Sequence, residues 1–199
     1  MPLPILAYGH PLLRQSCVDI DKNYPGLEKL VIDMWETMRN ANGCGLSAPQ
    51  IGQPIRLFVV DSLSTFTNLS PSQREGYFAD VDSGIQETFI NARIVKRSAE
   101  FWEDEEGCLS LPGLSRKVSR PWSIAIEYYD LQFQLHHKEF SGATARMIQH
   151  EYDHTEGGLY IDHLKPLARK LMARKLIEIS KGKVRVKYPM KFAAAIPGA

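Results

Sequence analysis

Apolar side chains at Leu27, Leu30, Val31, Met34 and Met38 recur at steps of three and four, between Pro25-Gly26 and Asn42-Gly43. That spacing lines one face of a helix and predicts one over 26–40. Gly43 to Gly52 reads as an ordered loop, and Ile55 to Val60 as a short buried strand rich in branched residues. Residues 62–84 are polar and aperiodic, and are expected to form a flexible loop. Phe89 to Val95 resumes a strand pattern. Ile124, Ile126 and Tyr128, then Leu131, Phe133 and Leu135, alternate with polar neighbours, which predicts an antiparallel hairpin over 122–140 with its turn near Tyr129-Asp130. Ser141 offers a cap for a helix over 143–155, closed by Gly157-Gly158. Pro166 opens a last helix, 166–181, that ends at Gly182. Strands and helices intersperse without regular alternation, so the expected fold class is α+β, a single domain over 1–199 with antiparallel strands around a central helix.

Composition narrows the class. The chain has 199 residues, 44% of them hydrophobic, and 24 Lys+Arg against 23 Asp+Glu, a formal net charge of +1. A chain of this length buries roughly 70% of its unfolded surface, enough for a core without staples. The near-balance argues against a DNA-coating protein or a basic membrane-surface peptide. It also hides an asymmetry, because residues up to Leu164 hold 14 basic and 22 acidic side chains while 165–199 hold 10 and 1. The body is thus −8, and the C-terminal helix and tail together +9. Cys17, Cys44 and Cys108 are an odd number at irregular spacing, which suits a reducing compartment. No signal-like start and no long apolar run is present, so the expected location is the cytoplasm.

Candidate chemistry sits in three segments. His150-Glu151-Tyr152-Asp153-His154 is an H-E-x-x-H sequence on the central helix. Four residues advance about 400°, so the imidazoles stand about 40° apart and about 6 Å along the axis, within reach of one ion. Glu151, rotated by about 100°, can serve a water beside that ion without ligating it. A catalytic site of this kind needs a third protein donor. Glu156 and His163 lie downstream, and Cys108 lies upstream in Glu106-Gly107-Cys108-Leu109-Ser110, although a lone cysteine is more often a small buried hydrophobe. The third segment, Gly43-Cys44-Gly45-Leu46-Ser47-Ala48-Pro49-Gln50, lets another backbone approach and ends on an amide donor suited to a developing oxyanion.

In this order the segments resemble the three motifs of the peptide deformylase family, G-x-G-[hydrophobic]-A-A-P-Q, E-G-C-[hydrophobic]-S and H-E-x-D-H, with Ser47 where alanine is usual. The order and separation extend the resemblance over most of 5–180, in the form of the bacterial members with a long C-terminal helix. It implies one divalent metal held by Cys108, His150 and His154, with Fe(II) as the physiological ion, although Zn, Ni or Co also suit one thiolate and two imidazoles. It implies removal of the formyl group from the N-terminal formyl-methionine of nascent chains by metal-bound water, with Glu151 as general base and then acid. Gln50 and the Leu109 N–H would meet the oxyanion. Glu106 and Asp153 would orient the ligands, Gly45 would pair with an extended peptide, and Met147, Ala143 and Cys44 would border the methionine side chain. Arg116 and Arg120 are further candidates to hold a peptide carboxylate or carbonyl. N-formyl-methionyl peptides are therefore the expected partners, and Arg169, Lys170, Arg174, Lys181, Lys183, Arg185 and Lys187 suggest a ribosomal RNA contact near the exit tunnel. Two rival readings remain: a general H-E-x-x-H metallopeptidase using Glu156 or His163, and a non-catalytic metal-stapled binding module with His163 as a fourth donor.

Overall fold

The computed structural model describes residues 1–193. Strand β1 (Ile5–Leu6) precedes helix α1 (Leu27–Asn40), which forms where the spacing predicted it. Val31, Met34 and Met38 on its inner face are fully buried. Each contributes roughly 1.5–3 kcal/mol by burial, more than the ~0.7 kcal/mol range of ordinary helix propensities, so packing fixes the helix.

Gly43 to Gly52 holds more than a loop: β2 (Gly45–Ser47) runs into a 3-10 turn at Ala48–Ile51. Then come β3 (Leu57–Asp61), α2 (Ser62–Asn68), α3 (Pro71–Arg74), β4 (Gln86–Arg97), β5 (Phe101–Gly107), β6 (Ser115–Pro121), β7 (Ser123–Tyr129), β8 (Leu135–Ser141) and α4 (Gly142–Thr155). Strands β2-β3-β4-β7-β8 form one antiparallel sheet, and β5-β6 form a separate hairpin. Ala145 and Ile148 of α4 pack on Phe58, Phe89, Ile126 and Tyr128 of the sheet. The central helix is thereby seated on a rigid floor, as the α+β reading expected.

Beyond that loop, the structure departs from expectation in three further places. The stretch 62–84 is partly helical and packed: Asp61 accepts from the Ser64 N–H at 2.8 Å to cap α2, and Gln73 closes a capping box with Ser70 on α3. Its Tyr77 carbonyl accepts from the Ala143 N–H at 2.8 Å, so it props the start of α4. In the hairpin, Asp130 accepts from the N–H groups of Gln132 and Gln134, both at 2.9 Å, and Phe133 takes a positive φ of 54°. Leu131 therefore lies in a five-residue turn, and the second strand starts only at Leu135.

The C-terminal region differs most. Helix α5 (Pro166–Ser180) buries Met172, Leu176 and Ile179, while Leu167 and Leu171 are 70% and 75% exposed. Beyond it the chain turns back, and β9 (Met190–Lys191) pairs in parallel with β1. The N–H groups of Ile5 and Ala7 donate to the carbonyls of Pro189 and Lys191, each at 2.9 Å. Residues 183–191 are thus part of the body and not a solvated tail; 194–199, the end of the predicted tail, lie outside the described residues.

Candidate active site

Helix α4 presents His150 and His154 one turn apart, and the loop after β5 brings Cys108 to them. The Cys108 Sγ lies 3.3 Å from His154 Nε2. One donor atom from each of Cys108, His150 and His154 falls within 4.8 Å of the others. His150 donates through Nδ1 to Glu106 Oε2 at 3.0 Å, which fixes the tautomer and leaves Nε2 for the cluster. A thiol and two imidazoles inside one coordination sphere fit a divalent ion of borderline softness. Glu156 pairs with Arg56, and His163 donates to Asp153 at 2.7 Å, so neither downstream candidate belongs to this cluster.

Glu151 is buried against Gly45: a Cβ at that position would overlap its carboxylate, so the second glycine of the loop motif is a space requirement. Burial pushes the Glu151 carboxyl up to about 7, against a lowering influence of His150. Its Oε2 has no hydrogen-bond partner among the described residues. Burial likewise holds His154 well below the usual imidazole range, so the neutral, ligating form is favoured.

Gln50 is oriented by its own motif. Its Oε1 accepts from the N–H and Oγ of Ser47, at 2.9 and 3.0 Å, which turns Nε2 toward Cys108 Sγ at 3.6 Å and Ser110 Oγ at 3.2 Å. Ser47 therefore supplies an oxygen that the alanine usual at this position lacks. The neighbouring Leu109 lines the same cavity, and its carbonyl accepts from the Tyr188 hydroxyl at 2.8 Å.

A buried ionic network holds His150. Glu106 accepts from Arg120 Nε at 2.6 Å and Nη2 at 2.9 Å, from Arg146 Nη1 at 2.7 Å and from His150. Burial opposes its charge, yet the bonds from His150 and Arg120 outweigh burial and hold the carboxyl well below the ordinary carboxylate range. Arg120 also donates to Asp153 at 2.8 Å. Both carboxylates predicted to orient the ligands are thus joined through one guanidinium. Arg120 is only 2% exposed and fully engaged, which corrects its reading as a substrate-binding group. Arg116 is exposed and donates to its neighbour's carbonyl.

Beside the cluster opens a cavity of about 530 Å³. Cys44, Gly45, Ala143 and Met147 line it together with Gln50 and Glu151, and so does the segment Arg185–Tyr188.

A sequence profile of the Polypeptide deformylase family matches residues 2–170. The chain belongs to the polypeptide deformylase family. Among curated relatives, the peptide deformylase of Christiangramia forsetii is 45% identical over 195 residues, 98% of each chain. That of Flavobacterium johnsoniae is 44% identical over the whole of both chains. Among solved structures, a plant peptide deformylase aligns with a TM-score of 0.77 and 32% identity over 92% of this chain and 91% of that one. A peptide deformylase from Ehrlichia chaffeensis aligns with a TM-score of 0.78 and 30% identity, over 92% and 99%. The chain is accordingly a hydrolase of the deformylase type. No helix among the described residues is long and apolar enough to cross a membrane.

Three parts of this deformylase site escaped the sequence reading. Arg146 stands four residues before His150 on the same helix, and a cation on a buried face was the available signal. The Tyr160 ring stacks on His150 with centroids 6.1 Å apart. The return of residues 185–188 is a long-range contact without a local signature.

Proposed function

We propose that the chain hydrolyses the formyl group from the N-terminal formyl-methionine of nascent polypeptides, with Glu151 moving the proton. The observation that carries this reading is the convergence of Glu151, Gln50, Cys108 and His150 on one cavity, with His154 clustered behind Cys108 and His150. When bound, the metal supplies Lewis-acid polarisation and a water acidic enough to attack near neutral pH. Cys108, His150 and His154 would hold it; Fe(II) suits that donor set, as do Zn, Ni and Co. A carboxyl held near neutrality can take a proton from the attacking water and return it to the leaving amine. The Gln50 amide and the Leu109 N–H serve the developing oxyanion, where losing one donor typically costs about 10² to 10³ in rate. Gly45 offers backbone to an extended peptide, and Met147, Ala143 and Cys44 border the methionine side chain. Glu106 keeps the His150 imidazole in place, and Asp153 supports it through Arg120.

We place the enzyme in the bacterial cytoplasm, close to the ribosomal exit tunnel. Lys170, Arg174 and Lys175 on the outer side of α5, beside the exposed Leu167 and Leu171, support docking on ribosomal RNA. Reversing these three charges should abolish ribosome co-sedimentation at low salt, and unchanged co-sedimentation would refute docking.

The test of the reaction uses formyl-Met-Ala-Ser and its unformylated twin. The Fe(II)-loaded protein should release formate from the first and leave the peptide bonds of both intact. Glu151→Ala should lower turnover by several orders of magnitude while the metal stays bound. Internal cleavage of the unformylated peptide would instead support a general metallopeptidase.

A further inference from the structure

Resting on the deformylase reading, we propose that Arg185 and Lys187 form a charge-reading wall of the substrate cavity, selecting peptides with acidic side chains just downstream of formyl-methionine. The segment alternates: Val184, Val186 and Tyr188 are half-buried, while Arg185 and Lys187 are exposed. Arg185 to Tyr188 all line the cavity. The wall is fastened along its length. Val184 packs into the core around Leu111, Val118 and Met172, and Tyr188 into the core around Met38 and Leu46. The Tyr188 hydroxyl bonds the Leu109 carbonyl at 2.8 Å, tying the wall to the loop that carries Cys108. Backbone bonds from Ile5 and Ala7 hold Pro189 and Lys191.

The charges on this wall are left free. Neither Arg185 nor Lys187 forms an ion pair among the described residues. Of the other charged groups lining the cavity, Arg146 is paired with Glu106 and Glu151 is buried against Gly45, while the exposed Glu105 accepts from Ser115 Oγ at 2.5 Å and keeps its charge, so the two cations outnumber the one exposed carboxylate. A formylated N-terminus carries no ammonium, so the first charges such a peptide offers are on its side chains. An extended peptide advances about 3.3 Å per residue, which keeps the residues after formyl-methionine close to the cavity mouth. Two free cations there favour carboxylates and repel lysines.

The decisive experiment measures binding without turnover. Glu151→Gln protein loaded with metal is titrated with formyl-Met-Ala-Glu-Glu and with formyl-Met-Ala-Lys-Lys. The acidic peptide should bind about 3- to 10-fold more tightly at low salt, the size expected of two partly exposed ion pairs. Raising salt from about 0.01 M to about 1 M shortens the screening length from about 30 Å to about 3 Å and should bring the ratio to near one. Arg185→Gln with Lys187→Gln, a change that keeps chain length and the Tyr188 anchor, should do the same at low salt. Equal binding of the two peptides, or a ratio indifferent to salt or to the double substitution, would overturn the wall. Formate release from formyl-Met-Ala-Ser by the unaltered enzyme judges the deformylase reading separately, and the binding ratio judges the wall whichever way that falls.

Discussion

Around Glu106 the molecule concentrates charge in its interior; along α5 it spreads charge over its surface. The first region joins Glu106, Arg120, Arg146, Asp153 and His150, with both Glu106 carboxylate oxygens bonded twice. The second has Lys170, Arg174 and Lys175 exposed, and among the described residues these three form one ion pair, Arg174–Glu178 at 3.2 Å. Buried charges must be satisfied by one another, and the bond from His150 to Glu106 then fixes that imidazole. Exposed charges cost little to leave unpaired, so they remain available to a partner. Counting both kinds in one net charge of +1 conceals the distinction.

Chemical unfolding of the metal-free protein can break this comparison. Glu106→Ala should be the most damaging change, costing about 3–5 kcal/mol by stranding two buried guanidinium groups; a loss below 1 kcal/mol would mean the network is not what holds the helix and hairpin together. Asp153→Ala removes one partner of Arg120 at the half-covered end, and should cost about 1–3 kcal/mol. It should also weaken metal retention about 10- to 100-fold through the loosened Glu106; unchanged retention in dialysis would confine Asp153 to His163. Lys170→Ala with Arg174→Ala should leave the unfolding midpoint and the metal content unmoved, and a marked shift would show that the α5 charges are structural.

How far sequence served depended on where the determining contacts lie. Helix α1 and the core of α4 were legible because their apolar spacing is local and their burial is one-sided. The Cys108-His150-His154 cluster was legible in part: the H-E-x-x-H interval singles out the two imidazoles, whereas Cys108 was chosen only through the family resemblance, and the structure brings the three together. The hairpin β5-β6 was missed because Glu103, Asp104 and Glu105 dilute its hydrophobic alternation, and their pairing with Ser119, Val118 and Lys117 is visible only in register. In 62–84 a readable signal was passed over: Ser70-Pro71-Ser72-Gln73 has the spacing of a capping box. Arg120 was misread because a surface arginine and a buried one look alike until the carboxylates around it are placed. For α5, apolar spacing alone does not decide which side is covered: Met172, Leu176 and Ile179 are buried, and Leu167 and Leu171 are exposed.

The pairing of β1 with β9 also sets an order of events. Ile5 waits for Met190, so this ladder closes only after nearly the whole described chain has been synthesised. The sheet, the hairpin and the ligand-bearing helix need nothing beyond Thr155 to meet, whereas the cavity lacks a side until Arg185–Tyr188 arrives. On the ribosome, then, the metal-binding half can assemble early and the enclosure of substrate comes last. Long-range closure of this kind is slow. A newly made copy should therefore acquire metal affinity before it acquires full selectivity.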